Sequence, residues 1–160
     1  MSYDLKGFKK PEGKKVGITC GAFDLLHAGH CLLLQEAKAN CDYLVVCLQT
    51  NPNKDRPNKH APIQTMEERR IVLSANRYID FVIEYDTEAD LYKVIQEIKP
   101  DVYTLGNDWR EKKATGWDIV EQKFHDRTKH DWSTTSLRKR VYEAERMSGY
   151  LAPRGCKNGL

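Results

Sequence analysis

Apolar positions along the chain follow two rhythms, short unbroken runs and a helical period, separated by breaks rich in glycine, proline and asparagine. Residues 15–20 are short, apolar and β-branched and stop at Gly21, as a buried parallel strand does where it enters a functional loop. Over residues 29–40, Leu32, Leu33, Leu34 and Ala37 cluster on one helical face and Asn40 closes the segment, which predicts a helix. A second buried strand follows at 43–48, then a long loop over 50–62 with Asn-Pro and Arg-Pro breaks, the kind of connection that is often functional. Thr65 is placed to cap a helix that carries Glu67 and Glu68 in its first turn and runs to about residue 75. The pattern continues with a strand at 80–84, a helix opened by Thr87 and Asp90 and ended before Pro100, and a strand at 102–105 stopped by Gly106. Residues 120–125 alternate, with Val120, Gln122 and Phe124 inward against Glu121, Lys123 and His125 outward, as on a half-exposed edge strand. A last helix over 135–146 gathers Leu137, Val141 and Ala144 on one face.

Strand and helix alternate throughout without an internal repeat, which predicts a doubly wound, Rossmann-like α/β domain: a parallel five-stranded sheet with helices on both faces. In such folds ligands bind beyond the carboxyl ends of the strands, so the loops after Cys20, Leu48, Leu105 and His125 are expected to line one crevice. Residues 1–14, dominated by Lys, Gly and Pro, read as a flexible N-terminal arm, residues 15–146 as the domain, and residues 147–160 as a mobile C-terminal tail.

The composition, 160 residues with 40% hydrophobic and 31% charged, is that of one globular domain able to bury about two-thirds of its unfolded surface. A net charge of +3 is too small to argue for nucleic acid or a membrane surface, and neither is expected as a partner. There is no run of roughly 18 apolar residues, and the polar start is expected to hold neither signal peptide nor anchor. The five cysteines, Cys20, Cys31, Cys41, Cys47 and Cys156, form no CxxC pair and sit mostly in apolar runs, which suits reduced thiols in a cytoplasmic protein.

The unusual polar residues fall in the expected crevice loops. The first reads Gly21-Ala22-Phe23-Asp24-Leu25-Leu26-His27-Ala28-Gly29-His30. Two histidines three apart at a helix start share one face of the first turn, where unpaired N–H groups and the helix dipole favour an anion, and Gly29 lets a phosphate approach the backbone. Ser133, Thr134 and Thr135 open the last helix as a second anion site, and Arg138, Lys139 and Arg140 in its first turns oppose the dipole unless an anion is bound. Asp108 and Trp109, at the end of a strand, admit two readings by composition: a turn aspartate beside a core indole, or a pair that meets a ligand's hydroxyl and ring. Glu67, Glu68 and Arg69 are equally readable as an ordinary first turn, and Lys54, Arg56, Lys59 and His60 as a solvated loop or an acceptor-phosphate site.

Five of these stretches together resemble the cytidylyltransferase-like nucleotidyltransferases of the HxGH type, most closely those acting on glycerol 3-phosphate, over about residues 15–145. The resemblance rests on the histidine loop, on Glu67-Glu68-Arg69, on Gly106-Asn107-Asp108-Trp109, on Arg127-Thr128 and on Ser133-Thr134-Thr135. It implies that His27 and His30 bind the nucleotide phosphates and stabilise charge on the α-phosphate, and that Arg127, a catalytic candidate with them, helps to hold the base and phosphates of CTP. It implies further that Gly21, Ala22, Phe23, Asp24, Gly29, Asp108, Ser133, Thr134 and Thr135 bind the nucleotide, and that Lys59, Arg69 and Trp109 face the acceptor. Two departures stand out: Asn107 replaces a more usual aspartate, and the link Lys129-His130-Asp131-Trp132 is one residue longer than usual, with Trp132 in place of an aliphatic residue.

The reaction so implied moves CMP from CTP to a small phosphorylated alcohol and releases pyrophosphate. Mg²⁺ would travel with the nucleotide rather than in a dedicated protein site, and family members of this kind are commonly homodimers. An adenylyltransferase acting on a sugar phosphate or cofactor precursor, and a nucleotide-binding module without chemistry, are the rival readings.

Overall fold

The computed structural model describes residues 3–148. The parallel core is formed by β2 (Val16–Gly21), β3 (Tyr43–Gln49), β4 (Phe81–Tyr85), β5 (Val102–Gly106) and β6 (Glu121–His125). They alternate with α1 (Ala28–Ala39), α2 (Met66–Ser74) and α3 (Glu88–Ile98), and α4 (Thr134–Met147) closes the described chain. The parallel strands lie in the order β4-β3-β2-β5-β6. The order reverses beside β2, which is where a doubly wound sheet opens its crevice.

The unbroken apolar run of β3 is explained by burial on both faces. Val45 and Cys47 join Val16, Ile18, Ile83 and the α3 residues Leu91, Val94, Ile95 and Ile98 in one core. Leu44, Val46 and Leu48 point the other way, to Leu34 and Ala37 of α1 and Leu73 of α2. Capping boxes start α2 (Thr65 with Glu68) and α3 (Thr87 with Asp90), satisfying orphan N–H groups at both ends of the exchange.

Three expectations are corrected. The arm before Lys15 does not lie free: β1 (Tyr3–Asp4) pairs antiparallel with Tyr85 and Glu84, making the sheet six-stranded, and Phe8 packs edge-on against Phe81. His125, expected outward, is 7% exposed, because α1 covers that face and Glu36 binds its Nδ1 at 2.5 Å. Helix α4 buries none of its residues, and Val141 and Tyr142 stand more than half exposed, so its apolar face is not turned into the core. Residues 149–160, and with them most of the expected tail and Cys156, lie outside the described residues. Cys20, Cys31, Cys41 and Cys47 are free thiols, and among the described residues no helix is long and apolar enough to cross a membrane.

Candidate active site

The loops after β2, β3, β5 and β6 meet at a crevice of about 830 Å³. Its wall includes Gly21, Ala22, Phe23, Asp24 and His30 from the first loop, Lys59 from the second, Asp108 and Trp109 from the third, and Arg127, Thr134 and Thr135 from the last. Eleven residues expected at the site are thus brought to one surface.

At this wall, which His30, Thr134 and Thr135 line and His27 does not, two helix starts converge. His27 is the N-cap of α1: its Nδ1 accepts from the His30 N–H at 3.4 Å. In the neutral ring the proton then sits on Nε2, which lies 3.4 Å from Oγ1 of Thr134 in the first turn of α4. Thr134 also donates to the Asp24 carbonyl at 3.2 Å, and Ser133 caps α4 by accepting from the Ser136 N–H at 3.1 Å. Two sets of unpaired N–H groups therefore aim at one place, with an imidazole and a hydroxyl between them.

The imidazoles of His27 and His30 stack, centroids 3.8 Å apart, and Phe23 packs on the far side of His30 at 5.2 Å. Burial, with His27 and Arg127 nearby, pushes the His30 pKa down to about 3, while burial and the charge of Arg127 lower that of His27. Both rings are held toward the neutral state, in which each offers one N–H donor. Phe23 and Leu25 flank Asp24 at φ +47° and +49°, left-handed conformations that are strained for side-chain-bearing residues. Asp24 holds this turn in place by accepting from the Ile63 and Gln64 N–H groups, both at 2.9 Å.

Several expected residues take other places. Arg69 lies outside the crevice wall and is 2% exposed: its guanidinium donates to the carbonyls of Gln64, Ala22, Gln49 and Thr50. It fastens the first two loops together instead of facing substrate. Gly29 is required by packing, since a Cβ there would stand 2.6 Å from the Trp132 carbonyl oxygen and 3.1 Å from His27 Cε1. Gly29 therefore supports the site from behind, and Ser133 lines a smaller pocket that shares Asp108 and Arg127 with the crevice. A Cβ at Gly106 would meet Asp108 Oδ1 at 2.5 Å, which leaves room there for the Asp108–Arg127 pair, joined at 3.2 Å.

Sequence reasoning missed Lys112 and Glu88, both on the crevice wall, and Arg56, read with Lys54, Lys59 and His60 as a solvated loop or an acceptor-phosphate site, lies on that wall too. Arg56 and Lys112 lie 5.9 and 5.6 Å from the Trp109 ring centre, and Arg56 is oriented by the buried Gln49 side chain at 3.1 Å. Gln49 also donates to Asp55 at 3.3 Å, so the 50–62 loop is tied to the end of β3. Arg56 belonged to a basic cluster visible in the sequence, but nothing there distinguished it from its neighbours. Glu88 accepts from Thr115 at 2.6 Å. The crevice combines Arg56, Lys59, Lys112, Arg127 and Arg138 with an acidic minority, a surface suited to a polyanion.

Comparison with known proteins places this arrangement. Residues 18–140 match the family model described as cytidylyltransferase-like. The chain is 39% identical over 114 residues to the bifunctional protein HldE of Wolinella succinogenes, covering 71% of this chain and 24% of that protein. It is 38% identical over 133 residues to HldE of Campylobacter concisus, covering 82% and 28%. The chain thus spans about a quarter of the length of these curated relatives. Among solved structures, the lipopolysaccharide core biosynthesis protein of Thermoplasma volcanium matches with TM-score 0.54 and 26% identity, covering 82% of this chain and 89% of that one. A pantothenate synthetase from Thermus thermophilus, 14% identical with TM-score 0.55 over 90% of this chain and 72% of that one, shares the fold.

Proposed function

The chain belongs to the cytidylyltransferase-like family, and from that premise we propose that it transfers a nucleoside monophosphate from a nucleoside triphosphate to a phosphorylated small molecule, releasing pyrophosphate. The observation that carries the reading is the convergence of the α1 and α4 N-termini, with His27 Nε2 and Thr134 Oγ1 3.4 Å apart between them. An acceptor phosphate oxygen attacks the α-phosphorus in line, the bond to the bridging oxygen breaks, and pyrophosphate leaves with the electron pair. His27 and His30 donate N–H groups to the α-phosphate oxygens, and Arg127 and Arg138 hold the outer phosphates. Mg²⁺ enters as the counter-ion of the nucleotide. The carboxylates of Asp24 and Asp108 already hold backbone N–H groups and Arg127 respectively, so the protein's own contribution is cationic and polar.

The acceptor is proposed to be a sugar phosphate and the donor ATP. Similarity to a protein of lipopolysaccharide core biosynthesis supports the saccharide, and the lengthened link bearing Trp132 supports a donor base other than cytosine. A second reading, CTP with glycerol 3-phosphate, is favoured by Gly106-Asn107-Asp108-Trp109 and Arg127-Thr128. A homodimer is part of the same proposal. The reading is tested by pyrophosphate release from ATP or CTP with each acceptor, and by His27→Ala and His30→Ala, each expected to lower turnover about 10²-fold to 10³-fold with the fold retained.

A further inference from the structure

A run of contacts leads along the crevice wall from Arg127 to a carboxylate that the transfer chemistry does not use. Arg127 pairs with Asp108, Trp109 follows it, Arg56 stands over the Trp109 ring, and Glu88 faces Arg56. Glu88 is the first residue of α3 and half-buried. Its Oε2 accepts from Thr115 Oγ1 at 2.6 Å, and its backbone N–H donates to Asp55 at 3.0 Å, so both the side chain and the loop beside it are tied down. Its Oε1 lies 3.7 Å from Arg56 Nη2, too far for a direct hydrogen bond. The guanidinium is held from the other side, where Nη2 donates to Gln49 at 3.1 Å. Lys112 joins Arg56 at the Trp109 ring, which puts two cations on this stretch of wall.

We infer that Glu88 and Arg56 form a hydroxyl-binding subsite for the acceptor, one that selects a phosphorylated polyol or sugar over a phosphorylated amino alcohol. This subsite rests on the nucleotidyl-transfer reading and specifies its acceptor. A gap of 3.7 Å is one that a single oxygen can bridge, standing about 2.8 Å from each group. A hydroxyl at that point donates to Glu88 Oε1 and accepts from Arg56, using both of its capacities at once. An ammonium has no lone pair for the guanidinium, and it would meet Arg56 and Lys112 as like charges. Tyr85 and Tyr103 also line the crevice, and burial pushes both phenols well above their ordinary range, so they stay neutral and add no anion to hold a cation. Thr115 is the positioning residue: by taking Oε2 it leaves Oε1 on the side of Arg56.

Calorimetric titration of the full chain with glycerol 3-phosphate, a hexose 1-phosphate, phosphoethanolamine and inorganic phosphate tests this. At least one of the two polyol phosphates is expected to bind wild type about tenfold or more tightly than phosphoethanolamine or inorganic phosphate, the scale of a hydrogen bond to a charged group. Glu88→Ala is expected to remove that advantage while inorganic phosphate binds as before. Glu88→Gln is expected to do the same with the side-chain shape kept, because the amide oxygen stays with Thr115 and an NH₂ faces Arg56. Thr115→Val is expected to lose part of the advantage and Thr115→Ser to keep it. Selective loss for either polyol phosphate upholds the subsite and names the source of the hydroxyl, sugar or glycerol. Phosphoethanolamine binding as tightly as both polyol phosphates overturns the selection, and a Glu88→Gln variant that weakens all four ligands alike, or none, overturns the subsite. Thr115→Ser behaving like Thr115→Val overturns the positioning role. Failure of the transfer reading would look different: hydroxyl-dependent binding would persist while no triphosphate released pyrophosphate with any acceptor.

Discussion

His27 uses its two ring nitrogens for two ends. Nδ1 closes the first turn of α1, and that bond leaves the proton on Nε2, facing Thr134. The His-x-Gly-His spacing made this pair legible in the sequence, because only a helix start puts residues three apart on one anion-facing turn. Its protonation state was not legible, since that depends on the burial of His30, stacked on His27 and touched by Phe23. With the His30 pKa pushed to about 3, against an ordinary 6.5, the unfolded chain takes up a proton between those values that the folded chain does not. This residue's contribution therefore makes the fold less stable as pH falls from 6.5 toward 3. Imidazole NMR signals of His30 are expected to stay flat from pH 8 to 5 in the free protein; a midpoint near 6.5 would contradict the stacked, buried ring. Arg69 shows the opposite limit of legibility. Its place in a helical first turn gave no sign that four carbonyls, one after β2 and three between the end of β3 and α2, would surround it. Arg69→Ala is expected to cost about 3 kcal/mol in denaturant unfolding by stranding those carbonyls. A variant of wild-type stability with a raised acceptor KM would instead return Arg69 to the substrate.

Among the elements, the buried strands and capped helices were readable because each carries a local signature. The run of β3 splits its side chains between two cores, and Thr65 and Thr87 announce their helices three residues ahead of an acid. Strand β1 was not readable: two residues cannot show a period, and its pairing depends on the exposed edge of β4. The alternation of β6 was seen, but a sequence cannot say that α1 covers the face carrying His125. The 50–62 loop is held in part by Gln49, whose amide binds both Asp55 and Arg56, beside the Lys54–Asp86 pair and the Glu88 N–H donated to Asp55. Gln49→Leu keeps the apolar strand end while freeing that loop. Steady-state kinetics are expected to show a tenfold to 100-fold rise in acceptor KM with nucleotide KM little changed, the scale on which a displaced binding group acts. Equal changes in both constants would mean that the loop does not serve the acceptor.

For the whole molecule, the sheet order carries the functional argument. Reversal of strand order beside β2 opens the crevice, and the chain brings the starts of α1 and α4, more than 100 residues apart, to one point there. The modest net charge of +3 concealed this, because a total does not show that Arg56, Lys59, Lys112, Arg127 and Arg138 meet on one wall. Pyrophosphate release measured with ATP and with CTP, each against a sugar 1-phosphate and glycerol 3-phosphate, tests the central claim most directly. ATP with the sugar phosphate is expected to release one pyrophosphate per nucleotidyl product formed, with the rate falling about 10²-fold to 10³-fold in folded His27→Ala. No release with any pair, or an undiminished rate in His27→Ala, would contradict nucleotidyl transfer at this crevice.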